Sequence, residues 1–221
     1  TIGIAGCFYI NGVSFFAIII ALFLVTNRNT NKNNGATLGK DIKEGFIFIK
    51  KNNPIRLLLE IAFIQSLFGF SYIILMPIFA QNVFSVGPKG LGFLMSSVGV
   101  GALFAALNLA RLGDYKYKGR LLGVSSIVFA LALMFFSLST SYEFSLFCLI
   151  FVGWAGVTSL SIINTLLQVD VPNEFRGRIM GVFMFTFAGI MPFGNFLAGV
   201  CADLIGAPIT TFLFGAGCLL F

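Results

Sequence analysis

The chain contains no histidine. This removes His-based metal sites, His general bases and imidazole proton relays from the chemistry its residues can supply. Charge is nearly as scarce: charged residues make up 10% of the chain, where a soluble domain carries about 25%. A surface so poor in charge cannot be kept in water, which excludes a soluble globular domain. Four cysteines, Cys7, Cys148, Cys201 and Cys218, all sit in apolar segments at no metal-like spacing. They read as small buried hydrophobic residues rather than as disulfides or ligands. There is also no catalytic dyad or triad, no metal box and no phosphate-cradling loop. An enzyme would have no residues to work with, and no cofactor is expected.

What the chain does have is apolar bulk. Of its 221 residues, 58% are hydrophobic and 28 are phenylalanine, and the mean hydropathy is +0.98. The lipid bilayer is the solvent for such a composition. The net charge of +6 does not indicate a nucleic-acid partner, because a nucleic-acid binder gathers its basic residues on one soluble face. Here they lie in short loops between long apolar runs.

Seven such runs can be drawn, at 3–25, 55–80, 91–113, 121–140, 142–168, 177–200 and 207–221. The first six have the roughly 20-residue length of a membrane-spanning helix. Strands of a membrane barrel would be alternating segments of about ten residues, so the fold class expected is an all-α integral membrane bundle. Both ends read as cut within an apolar run. The last run spans only about 22 Å at helical rise, short of a hydrocarbon core of roughly 30 Å.

The loops have sides. Arg28, Lys32, Lys40, Lys43, Lys50, Lys51 and Arg56 surround the first long loop. Arg111, Lys116, Lys118 and Arg120 lie at the end of the third run and in the loop after it, and Arg176 and Arg178 follow the fifth. The intervening loops hold only Lys89. By the positive-inside rule the basic loops are cytoplasmic, with the first residue outside the cell membrane and the last inside. The long loop has two parts. Residues 27–35 are polar, whereas 38–51 has an amphipathic helical pattern with Leu38, Ile42, Phe46 and Ile49 on one face. That pattern fits a helix on the cytoplasmic membrane surface. Three regions follow: a single spanning helix at 1–26, a cytoplasmic linker at 27–54 and a six-helix bundle at 55–221.

Within the runs, Gly92, Ser96, Gly99 and Gly101 permit close helix packing. Gly189, Pro192, Gly194 and Gly199 surround an expected kink. Polar residues inside a membrane carry more information, since each must face protein or water. Gln65, Gly69, Tyr72 and Met76 share one face of the second run at helical spacing. Thr158, Ser161, Thr165 and Gln168 form a stripe on the fifth, beside Asn164, while Asn108 and Asn195 lie deep in their helices or near the ends. Each can be an interhelical hydrogen-bonding group. Together, Gln65, Tyr72, Ser161, Asn164 and Gln168 are candidates to line a substrate cavity. Glu60 is the one acid clearly inside a run; it is both the candidate coupling residue and, one turn from Arg56, a candidate ion-pair partner.

The stretch 164–180, NTLLQVDVPNEFRGRIM, resembles the junction between helices 10 and 11 of major facilitator superfamily transporters. It is most similar to the branch of enterobactin-type siderophore exporters and macrolide-type efflux proteins. The segments DIKEGFIFIKKNNP, LMPIFAQNVFSVGPKGLGFLMSSVGVG and GIMPFGNFLAGVCADLIG resemble, in turn, that branch's central linker, its helices 7 and 8, and the end of helix 11. The resemblance implies helix 6, the central loop and the C-terminal six-helix half, helices 7–12 with the last truncated. It also implies a missing N-terminal half and alternating access with a proton as the usual coupling ion. The superfamily's cytoplasmic loop motif appears in degenerate form around Arg111, Gly113, Asp114, Lys118, Gly119 and Arg120. Asp114 and Arg120 there, with Glu174, Arg176 and Arg178 after helix 10, are candidates for a charge latch on the cytoplasmic face. The function implied is export of a small amphipathic molecule such as a drug or siderophore. A nutrient importer of the same superfamily, or a seven-helix receptor, is the alternative.

Overall fold

The computed structural model describes residues 4–24, 38–113 and 117–220. Its elements are helical throughout. By internal contacts the chain divides into two units, Thr1–Leu38 and Gly39–Phe221. The first contains α1 (Ile4–Leu24), a helix of 21 residues with Tyr9, Phe15, Phe16 and Ile20 exposed along it. At 1.5 Å per residue it is about 31 Å long, a membrane thickness.

The second unit is a helical bundle. It comprises α2 (Leu38–Lys51), α3 (Asn53–Ile64), α4 (Tyr72–Ile78), α5 (Gly87–Leu112), α6 (Lys118–Leu138), α7 (Tyr142–Asp170), α8 (Asn173–Met184), α9 (Met191–Ile205) and α10 (Ala207–Leu219). Two pairs merge into long interrupted helices, Asn53–Val83 and Asn173–Ile205, which with α5, α6 and α7 make five spans long and apolar enough to cross a membrane. The seven apolar runs of the sequence therefore correspond to helices, α10 being shorter at 13 residues.

Both long helices are interrupted by π-helical turns. In the first these are Gln65–Gly69 and Phe79–Val83, the latter just after Pro77; in the second the turn is Phe185–Gly189, just before Pro192. Proline withholds a backbone donor and crowds the carbonyl four residues back, and the helix answers by widening or bending. Phe70 N–H bonds the Gln65 carbonyl five residues back at 2.8 Å, although no proline adjoins that turn, and Phe84 N–H bonds the Phe79 carbonyl at 2.9 Å. Around Pro192, where the sequence suggests a kink, the helix is interrupted by the π-helical turn and restarts at Met191.

The central helix is α7, packed against α5 on one side and α6 on the other, with α10 laid against α6. Glycine sets the α5–α7 distance. A Cβ on Gly101 would lie 1.9 Å from the Ile150 carbonyl oxygen, and one on Gly153 would lie 2.1 Å from that of Val98, so only hydrogen fits. Gly92 and Gly99 have open space at that position instead. Tyr142 Oη donates to the Gly90 carbonyl at 3.0 Å and fixes the register of the same pair nearer the start of both helices. Phe79, Phe129 and Phe136 fill one core with Leu133 and Leu149, while Ile55, Leu122, Ile163, Leu167 and Ile179 fill a second toward the basic end of the bundle.

Helix α2 occupies the span that its amphipathic pattern predicts, but the face it turns inward differs. Gly45 and Ile49 are buried and Phe48 is half-buried, whereas Phe46 and Ile47 are exposed. The Leu38 and Ile42 side chains lie outside the described ones. Helix α2 docks on protein: the Phe48 and Phe175 rings stack 4.6 Å apart and 11° from parallel. That contact sets its rotation, which apolar spacing alone cannot.

Candidate functional site

Polar groups enter this bundle in three places. The deepest is at the first π-helical turn. Gln65 is 3% exposed, and its Nε2 donates to Ser159 Oγ of α7 at 2.9 Å and Ser126 Oγ of α6 at 3.2 Å. The two hydroxyls are 3.1 Å apart. One amide thus ties three helices together far from any helix end, where an unpaired polar group would be costly. Gln65 Oε1 and Thr158 Oγ1 are buried without a hydrogen-bond partner among the described residues. Next to Gln65, Ser66 Oγ donates to the Phe187 carbonyl at 2.5 Å, joining the π-helical turns of the two interrupted helices. Phe70 meets Phe187 edge-on at 5.4 Å and Phe129 at 5.7 Å. Just beyond, a Cβ on Gly194 would lie 2.2 Å from the Leu67 carbonyl oxygen. The two interrupted helices therefore approach to backbone contact there.

The second place is the basic end. Arg178 Nη1 donates to Glu44 Oε2 at 2.8 Å, and the Arg178 guanidinium lies 5.6 Å over the Phe175 ring. With the Phe48–Phe175 stack, this clamps α2 onto the start of α8. Arg56 and Glu60 form an ion pair at 3.4 Å with both side chains about half exposed, so the pair contributes only ~0.3–0.5 kcal/mol. Arg120 lies 5.0 Å over the Tyr117 ring. Glu174 and Arg176 are exposed and form no ion pair among the described residues, and Asp114 lies outside those residues. Of the proposed latch, Arg178 is held by an ion pair, and its partner Glu44 was not a candidate from sequence.

The five candidate cavity residues fall in different surroundings. Gln65 borders a cavity of about 250 Å³ with Ser126 and Cys218. Ser161 borders a different one of about 120 Å³ with Thr165, Lys118 and Leu109. Tyr72 is buried in the core beside Leu75, Met76 and Phe79. Asn164 and Gln168 bond each other, Gln168 Nε2 donating to Asn164 Oδ1.

The third place was not legible as a site from sequence. Phe104, Leu107, Asn108 and Arg111, all exposed on α5, and the half-buried Trp154 of α7 border an open cleft of about 350 Å³. Asn108 and Arg111 stood in the sequence as a deep polar residue and a loop charge, and nothing singled out Trp154. The available signal was that the chain's one tryptophan lies within the helix that also carries the polar stripe.

These helices and their breaks can be compared with known proteins. The family described as transmembrane secretion effectors matches residues 1–221. The chain belongs to that family. It is a multi-pass membrane protein of the major facilitator superfamily, and its all-helical bundle agrees with that fold. It is 28% identical over 150 residues to the staphyloferrin A transporter of Staphylococcus aureus, a match covering 66% of this chain and 36% of that protein. It is 29% identical over 111 residues to the enterobactin exporter EntS of Shigella flexneri, covering 50% and 27%. The EntS protein of Escherichia coli O1:K1 is similar at 29% over 110 residues, covering 50% and 26%. The matches thus span about a third or less of these relatives' length. Family and relatives are transporters rather than enzymes.

Proposed function

We propose that this chain forms helix 6, the central linker and helices 7–12 of an exporter of small amphipathic molecules, drugs or siderophores, in the cytoplasmic membrane. The observation that carries the reading is membership of the secretion effector family over the whole chain, with siderophore transporters among its relatives. In this reading α1 is helix 6, 27–54 is the linker and 55–221 is the C-terminal bundle. The basic loops face the cytoplasm because the positive-inside rule places them there. The remaining helices of a twelve-helix transporter complete the path.

The geometry supports alternating access. The two interrupted helices, 7 and 11 in this numbering, meet at their π-helical turns and approach closely at Gly194, which abuts the Leu67 carbonyl and the Ser71 hydroxyl. In secondary transporters discontinuous helices form the site about which the two bundles rock. The α2 clamp through Glu44, Arg178, Phe48 and Phe175 ties the linker to the start of helix 11, so linker and helix 11 move together. A proton is the coupling ion proposed, with Glu60 its candidate carrier and antiport the mechanism.

Inverted vesicles holding the full-length transporter test this. Lipophilic drugs and catecholate siderophores are offered with and without a protonophore. Accumulation of at least one compound, abolished by the protonophore, is the expected result. Accumulation that ignores the protonophore removes proton coupling, and undiminished coupled transport by Glu60→Gln removes Glu60 as the carrier. Uptake only in right-side-out vesicles turns the reading to import.

A further inference from the structure

We infer that the cleft between α5 and α7 is an anion-recognition subsite for flat aromatic acids; the inference rests on the export reading and names a substrate class for it. The cleft of about 350 Å³ falls in the lower range of small-molecule sites, about 300–1,000 Å³, and suits one substituted ring. Its polar groups are nearly all donors. Arg111 offers a planar fork of N–H groups, Trp154 an indole N–H, and Asn108 an amide. No acidic residue lines it among the described residues. Arg111, Asn108 and Trp154 make no hydrogen bond or ion pair among the described residues, so their donors are available to a ligand. Phe104 and Leu107 supply the apolar side, and Phe104 and Trp154 supply ring faces for stacking. A carboxylate accepts two parallel bonds from a guanidinium, and the apolar wall strengthens that pairing relative to water.

Arg111 stands exposed in the last turn of α5, at the basic end of the bundle, so a lipid headgroup is the rival ligand. Tyr142 bonds Gly90, and Gly101 abuts Ile150 and Trp154, so α5 and α7 run in the same direction in one register. Carried forward, Arg111 lies level with Ile163, about 10 Å short of the end of α7 at Asp170.

An organic carboxylate and a lipid phosphate both satisfy an arginine fork, so the test separates them. Full-length transporter in phosphatidylcholine nanodiscs is titrated with labelled salicylate and, in parallel, with its uncharged analogue salicylamide. Saturable salicylate binding is expected, weakened about tenfold or more by Arg111→Gln and weakened less by Arg111→Lys. Trp154→Leu weakens both ligands. Salicylamide binding is the same for wild type and Arg111→Gln. The inference is overturned if wild type does not bind salicylate saturably, if Arg111→Gln binds it equally, or if phosphatidylglycerol in the discs displaces it, which would assign the anion site to a headgroup. Vesicle export by the same preparation reports separately on the export reading, so failure of the subsite and failure of the transporter are distinct results.

Discussion

Replacing Gly101 with alanine puts a methyl carbon into space that a neighbouring backbone already occupies. The added Cβ would lie 1.9 Å from the Ile150 carbonyl oxygen and 2.7 Å from the Trp154 nitrogen, where ordinary contact begins near 3.4 Å. Helix backbone cannot swing aside as a side chain can, so α5 must retreat from α7 by about 1.5 Å, the difference between those limits. A gap of even 0.5–1 Å forfeits roughly a quarter to a half of a dispersion well, and the loss would run along the whole buried seam of Gly90, Leu94, Gly101 and Ala105. Overpacking a well-filled site costs about 1–3 kcal/mol, and a backbone neighbour puts Gly101→Ala at the upper end. Gly99→Ala makes the same chemical change on the same helix but meets nothing within 4 Å, so it should be neutral to stabilising, by up to about 1 kcal/mol. Equilibrium unfolding of the full-length protein in one detergent, with each variant against wild type, measures both. Equal stabilities for the two variants would refute the claim that glycine contact sets the α5–α7 spacing.

The α2 clamp and the buried amide give further tests. Phe48→Ala should lose about 1 kcal/mol of stacking and speed proteolysis within 39–52. A double-mutant cycle on Glu44 and Arg178 should show coupling of only about 0.5–1 kcal/mol, because both side chains are partly exposed; unchanged proteolysis in both cases would show that α2 is held by something else. Gln65→Leu keeps the volume while removing a group whose Oε1 has no partner, so it should cost under about 1 kcal/mol. Gln65→Ala opens a cavity and should cost about 2–3 kcal/mol. If Gln65→Leu unfolds the protein while Gln65→Ala does not, the hydrogen bonds rather than the packing hold the three helices.

The spans were legible because a run of about twenty apolar residues has few other fates, and α2 was legible because its apolar residues recur at helical spacing. Its orientation was not. Spacing identifies an apolar face without saying whether protein or membrane covers it, and Phe46 ended outward while Gly45 and Ile49 turned in. The candidate cavity shows a second limit. Assigning Gln65, Gly69, Tyr72 and Met76 to one face assumes 3.6 residues per turn, yet the π-helical turn at Gln65–Gly69 inserts an extra residue into the winding. All four residues are buried, but Gln65 meets Ser126 and Ser159 whereas Tyr72 joins the Leu75–Phe79 core. The cleft around Trp154 shows a third. Arg111 and Trp154 lie in separate apolar runs, and what places one beside the other is the register of α5 on α7. That register is set by Gly101, Gly153 and the Tyr142–Gly90 bond, contacts between helices that no pattern within either helix encodes. The α5–α7 seam therefore carries two consequences at once. The glycines that hold the helices in backbone contact also determine which donors border the cleft, so a change at Gly101 that separates α5 from α7 should weaken salicylate binding although Gly101 does not line the site.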